Sequence, residues 1–114
     1  MNAVERNLVW LGVEDYTGLW DASLVVSRIL GAGSIEDARE HARRVVESML
    51  DKGWVELYVC QEPLDNDSIE LVPPGDRHRI LESDSAWEIP EAFGKSVRFA
   101  ATDEGVAAYE NDAE

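Results

Sequence analysis

The sequence predicts an α+β domain in which helices pack on a small antiparallel sheet. The stretch Ser34 to Cys60 reads, in order, as an amphipathic helix, a glycine stop and a strand. A second alternating stretch, Ser96 to Ala101, follows far downstream and supplies a partner strand. The 114 residues, 45% hydrophobic, have the length and apolar content of one domain with its own core.

Residues 1–14 are weakly patterned, and Leu8, Trp10 and Leu11 fit either a short helix or a strand that docks on the core. The pattern then sharpens. Asp15 or Thr17 can cap a helix over 16–30 that carries Tyr16, Leu19, Trp20, Leu24, Val25, Ile29 and Leu30 on a broad apolar face. Gly31-Ala32-Gly33 ends it. Ser34 caps the next helix, 34–52, with Glu36 and Asp37 at its positive end. Ile35, Ala38, Ala42, Val45, Val46, Met49 and Leu50 recur at helical spacing, and a break near Glu40 into two shorter helices is the alternative. Gly53 is the left-handed stop. Trp54 to Cys60 is rich in β-branched and aromatic residues, with Val55, Leu57 and Val59 on one strand face.

The middle of the chain is more broken. A polar loop, Asp65-Asn66-Asp67-Ser68, leads to a short edge strand at Ile69–Val72, stopped by Pro73-Pro74-Gly75. Asp76 can cap a short helix from Arg77 to Ser83 that buries Ile80 and Leu81. Trp87, Ile89 and Phe93 read as apolar anchors in an acidic, irregular stretch, with Trp87 partly exposed. After the strand at 96–101, Thr102 caps a last helix over 103–110 with Val106 and Tyr109 facing inward. The tail, 111–114, is expected to fray. Trp20, Leu24, Val46, Leu50, Leu57 and Phe99 are the expected core.

The segment Leu50-Asp51-Lys52-Gly53-Trp54-Val55-Glu56-Leu57-Tyr58-Val59 resembles the end of the recognition helix and the first wing strand of winged-helix domains. The segment from Val97 to Tyr109 resembles their second wing strand and a Thr-capped helix with Gly105 in its first turn. The resemblance covers residues 16–60 and 96–110, about half the chain. It implies a single winged-helix-like domain over 1–114 whose two wing strands pair. The departure is an extended acidic insertion between those strands, about 61–95, which carries its own short helix. Most winged-helix proteins bind DNA through the recognition helix, here the counterpart of Ala38–Lys52. The resemblance therefore implies a transcriptional regulator with Arg39, Arg43 and Arg44 on the DNA, binding as a dimer.

The charge weighs against that role. The net charge is −14; residues 34–53 sum to −1 and residues 54–94 to −8. Duplex binding draws on a basic surface that displaces counterions from phosphates, and this chain would act against its own field. Pairs such as Glu40–Arg44 read better as a solvated ladder along a helix. The preferred reading is an acidic, non-enzymatic protein-interaction module that meets a basic protein. It resembles in kind the immunity proteins, antitoxins and nucleic-acid mimics, and a homodimer is compatible with it. The candidate contacts are Trp87 with Glu82, Asp84, Glu88 and Glu91, an aromatic ringed by acids.

No catalytic, metal or cofactor signature competes with this reading. Asp65, Asp67, Glu70 and Asp76 echo a calcium loop, but Glu70 stands where glycine is required and Asp76 where glutamate is. Cys60, the single cysteine, ends an apolar strand and has no histidine at a motif spacing, so it reads as buried and inert. His78, between Arg77 and Arg79, reads either as an anion contact or as a partner of neighbouring carboxylates, and the second is preferred. One cysteine fits a reducing compartment, and the apolar run Leu8–Val13 is too short to span a membrane, so the expected location is the cytoplasm.

Overall fold

The computed structural model describes residues 1–31, 33–64 and 66–112. Among these residues, five helices and a four-stranded antiparallel sheet form an α+β architecture. The order is α1 (Ala3–Glu14), β1 (Thr17–Gly18), α2 (Leu19–Leu30), α3 (Ile35–Asp51), β2 (Val55–Gln61), β3 (Ile69–Leu71), α4 (Arg77–Leu81), β4 (Lys95–Ala101) and α5 (Asp103–Asp112). Short 3-10 turns at Asn66–Ser68, Pro74–Asp76 and Asp84–Trp87 punctuate the connection between β2 and β4. The strands lie in the order β1-β4-β2-β3.

The helix–glycine–strand unit forms as its sequence predicts. Ser34 is the N-cap, and its side chain accepts the Asp37 N–H at 3.1 Å. The helix runs unbroken past Glu40, so the alternative of two shorter helices does not hold. Gly53 takes φ +75°, the left-handed conformation that lets the chain leave the helix and enter β2. β2 and β4 then pair over seven residues, from Val55 opposite Ala101 to Gln61 opposite Lys95. Their alternation sets two faces. Val55 and Leu57 on β2 and Phe99 on β4 enter the core beneath the helices, with Leu57 directly opposite Phe99 and both fully buried. Val46, Met49 and Leu50 of α3 join them from above.

The other face of the same strands is polar. Tyr58 stands opposite Arg98, and Cys60 opposite Ser96. Tyr16 meets Tyr58 edge to face at 5.1 Å. Burial, and next a hydrogen bond to Glu56, push the Tyr58 hydroxyl up to about 12. Arg98 is the centre of this face. It donates to Glu62 at 2.7 Å, to the Tyr16 carbonyl at 3.0 Å and to Ser96 at 3.2 Å, and lies 5.0 Å from the Trp20 ring. Cys60 is buried as expected, and burial pushes its thiol up.

The chain ends close on each other. Asn2 and Glu5 make a reciprocal capping box at the start of α1, each bond 2.8 Å. The Met1 ammonium and Arg6 both reach Asp112, at 2.7 and 3.2 Å. The expected fraying from 111 is therefore corrected for Asn111 and Asp112, which are helical; Ala113 and Glu114 lie outside the described residues. Thr102 caps α5 as predicted: its hydroxyl accepts the Gly105 N–H at 3.0 Å and also donates to the Gly53 carbonyl. Thr102→Ala should cost about 1–2 kcal/mol, the range for lost caps, while Thr102→Ser should retain most of the stability. Urea denaturation of the two variants measures this, and equal losses would show that the hydroxyl is not the tie.

Several expectations are corrected. The second helix begins at Leu19 with Gly18 as its N-cap, because Thr17 and Gly18 are drawn into the sheet as β1 and pair with Phe99 and Arg98. Leu24 is 54% exposed instead of core, and Trp20 is only half-buried. α2 buries Ala22 and Val26 in the core and leaves Leu24 outside it. Ile35, in the first turn of α3, is likewise exposed. Asp76 precedes α4 but its side chain makes no cap bond. Of the expected anchors, Ile89 and Phe93 are exposed, whereas Trp87 is buried. Trp10 is half exposed on α1. Ala32, in the predicted glycine stop, and Asp65, in the predicted polar loop, lie outside the described residues.

Candidate functional site

The connection 62–94 between β2 and β4 folds back onto the helices and does not project from them. Val72, Leu81, Ala86 and Trp87 belong to the same core cluster as α2 and α3. Trp87 is 4% exposed, and its indole Nε1–H donates to the Leu81 carbonyl at 2.9 Å. This corrects the expectation of a partly exposed ring: the apolar body fills the space beside α2 and α3 while a backbone acceptor satisfies its N–H. Its neighbours at 82, 84, 88, 89 and 91 stay exposed around it.

Two depressions flank this tryptophan. The first is a cleft of about 290 Å³ between α3 and the segment 81–88. Glu82, Asp84 and Glu88 come together there with Glu36 and Glu40, as the sequence reading grouped the first three. Glu91 does not join them; it lines a separate shallow hollow with Glu88 and Ile89. Arg43 closes the cleft's far end, donating to Glu40 at 2.8 Å and Glu47 at 3.0 Å, with Glu82 at 3.2 Å. Its hydrogen bonds to Glu40 hold that carboxyl at about 2, well below the usual range, and raise the guanidinium in turn. Arg44 also reaches Glu40, at 3.1 Å. His78 lies 3.5 Å from Glu47 and 3.7 Å from Glu82, among the carboxylates its sequence position suggested.

The second depression was not foreseen. It is an apolar groove of about 530 Å³ between α2, the start of α3 and residues 87–89. Trp20, Leu24, Ile35, Ala38 and Ile89 line it, and Trp87 forms part of its floor. Leu24, Ile35 and Ile89 are 54%, 64% and 75% exposed, so the walls are apolar surface left in water. Arg39 lies at the junction of groove and cleft, and its buried Nε–H has no hydrogen-bond partner among the described residues. A signal for the groove existed in the sequence: α2 carries more large apolar residues than one packed stripe can bury, with Leu24, Ile29 and Leu30 left over.

The three arginines tied to a DNA-binding role are thus placed differently. Arg43 and Arg44 are paired with carboxylates of their own helix, and Arg39 turns into the groove junction. Lys52 lies 3.5 Å from Glu5 and 4.5 Å from the Trp54 ring. Among the described residues no group of three or more His, Cys, Asp or Glu is placed to hold a metal ion, and no helix is long and apolar enough to cross a membrane. No protein-family model matches the chain, and neither a curated protein nor a solved structure matches it significantly.

Proposed function

We propose that this chain is an acidic, non-enzymatic protein-interaction module on a winged-helix-like frame, working in the cytoplasm, and that its partner is a basic protein. The frame is supported by α3 leading through Gly53 into β2, by the pairing of β2 with β4, and by β1 on the far side of β4. The connection 62–94, with its own strand and helix, takes the place of a simple wing. The observation that carries the functional reading is Arg43 held by Glu40, Glu47 and Glu82. On the counterpart of the recognition helix, positive charge is spent on the protein's own carboxylates, and the surplus beside it is acidic. A phosphate approaching there would displace these pairs and meet the carboxylates of Glu82, Asp84 and Glu88, whereas lysines and arginines of a protein would be drawn in. Immunity proteins, antitoxins and nucleic-acid mimics remain the functional classes of this kind.

Two measurements decide it. Labelled genomic duplexes should show no binding by anisotropy at physiological salt. Affinity capture from lysate followed by mass spectrometry should enrich proteins of pI above about 9. That capture should weaken between about 50 and about 200 mM salt. It should also be lost on Glu82→Lys/Asp84→Lys/Glu88→Lys. Sub-micromolar, sequence-dependent duplex binding that disappears in Arg39→Ala/Arg43→Ala/Arg44→Ala would replace this reading with the DNA-binding regulator.

A further inference from the structure

We propose that the groove between α2, α3 and residues 87–89 receives the apolar face of a cationic amphipathic helix of the partner protein. The inference rests on the acidic-module reading and adds the recognition element. The groove's lining fits an inserted side-chain row: one wall from α2, one from the start of α3, a tryptophan floor and a third wall at Ile89. Its volume, about 530 Å³, is that of a site for several buried side chains and not of a single cation contact. Helix-in-groove recognition requires an apolar strip for residues spaced i, i+3, i+4 and i+7. Leu24, Ile35 and Ile89 supply exposed apolar surface for that strip.

Charge selects the occupant. Glu88 stands where groove and cleft meet, and Glu36, Glu40, Glu82 and Asp84 extend the acidic edge along the cleft. A helix with leucine-like residues inward and lysines or arginines along its flank satisfies both surfaces together. A second copy of this chain, itself at −14, would bring a like-charged rim against this one. Arg39 adds a direction. Its cationic side chain lines both groove and cleft, and the last carbonyls of a docked helix lack partners and carry the negative end of its dipole. The helix therefore lies with its C-terminal end toward Arg39.

The test uses the full chain and two fluorescent peptides of about 18 residues, roughly five turns, made only of leucine and lysine. One has its leucines in a helical stripe; the other has the same composition scrambled so that no stripe forms. At about 150 mM salt the striped peptide should bind at least about tenfold tighter. Leu24→Ser/Ile35→Ser should erase the difference, and because both residues are exposed the fold should persist by circular dichroism. Equal binding of both peptides, unaffected by Leu24→Ser/Ile35→Ser, overturns the groove and leaves the acidic module standing. Binding of neither peptide even at about 50 mM salt overturns both readings. Self-association in sedimentation that Leu24→Ser/Ile35→Ser abolishes overturns the proposal in favour of a second copy.

Discussion

Gly105→Ala is expected to destabilise the protein by about 4 kcal/mol or more, beyond the usual range for a single substitution. Helix propensity alone gives the opposite sign, since alanine is favoured over glycine in a helix by about 1 kcal/mol. Geometry decides against it. Gly105 is buried in the first turn of α5, and a Cβ there would stand 2.0 Å from the Trp54 carbonyl oxygen and 2.9 Å from its carbon. The obstacle is backbone, so no rotamer change relieves it. That carbonyl is also held in place: it accepts the Thr102 N–H at 3.0 Å, at the point where α3 turns into β2. Moving α5 away would break this bond and the Thr102 cap together. Gly75→Ala is the control, because a Cβ there meets nothing within 4 Å and its φ is not positive. It should stay within about 0.5 kcal/mol of the parent. Urea titration of both variants measures the contrast, and a loss below about 1 kcal/mol for Gly105→Ala would mean that α5 docks elsewhere at little cost.

The parts of this fold that were legible in the sequence are those set by local chemistry. Ser34, the apolar spacing of α3, Gly53 and the alternation of β2 each act within a few residues, and the structure follows them. The Asn2–Glu5 capping box is equally local and was there to be read; it opens a helix whose periodicity is weak. β1 is different in kind. Thr17 and Gly18 are extended because β4 offers them hydrogen bonds, and no two-residue pattern announces that. The same reason governs the site. Glu82, Asp84 and Glu88, dense in the sequence, line one cleft. Which of Trp87 and Leu24 is buried, however, depends on how segment 81–89 folds back on α2 and α3. That return path is a tertiary property, so the tryptophan became floor and the leucine became wall.

Arg98→Ala is expected to cost about 3 kcal/mol near neutral pH, and the penalty should shrink in acid. The side chains of Arg98 and Glu62 are only 15% and 13% exposed, so removing one leaves the other poorly solvated. Breaking a fully buried pair costs about 3–5 kcal/mol, and a lost hydrogen bond to a charged group about 1.5–3. This pair keeps some contact with solvent, which places it at the low end of the first range. Arg98 also binds the Tyr16 carbonyl and Ser96, so its loss loosens the entry into β1 as well as the start of the connection after β2. The hydrogen bond from Arg98, helped by Ser96, holds the Glu62 carboxyl below its ordinary 4.5, against the opposing pull of burial. A folded-state value below the unfolded one stabilises the fold above pH 4.5, and that stabilisation fades as pH falls through the folded value. In Arg98→Ala the largest cause of the lowering is gone, so the variant has less of this stability to lose on acidification. Urea curves at about pH 7 and about pH 3 should therefore converge between parent and variant. Glu62→Gln separates the contributions: it keeps an acceptor for Arg98 and removes the titration, so its stability should change less over the same pH interval. A gap between parent and Arg98→Ala that is the same at both pH values would show that Arg98 acts through Tyr16 and Ser96 alone and not through Glu62.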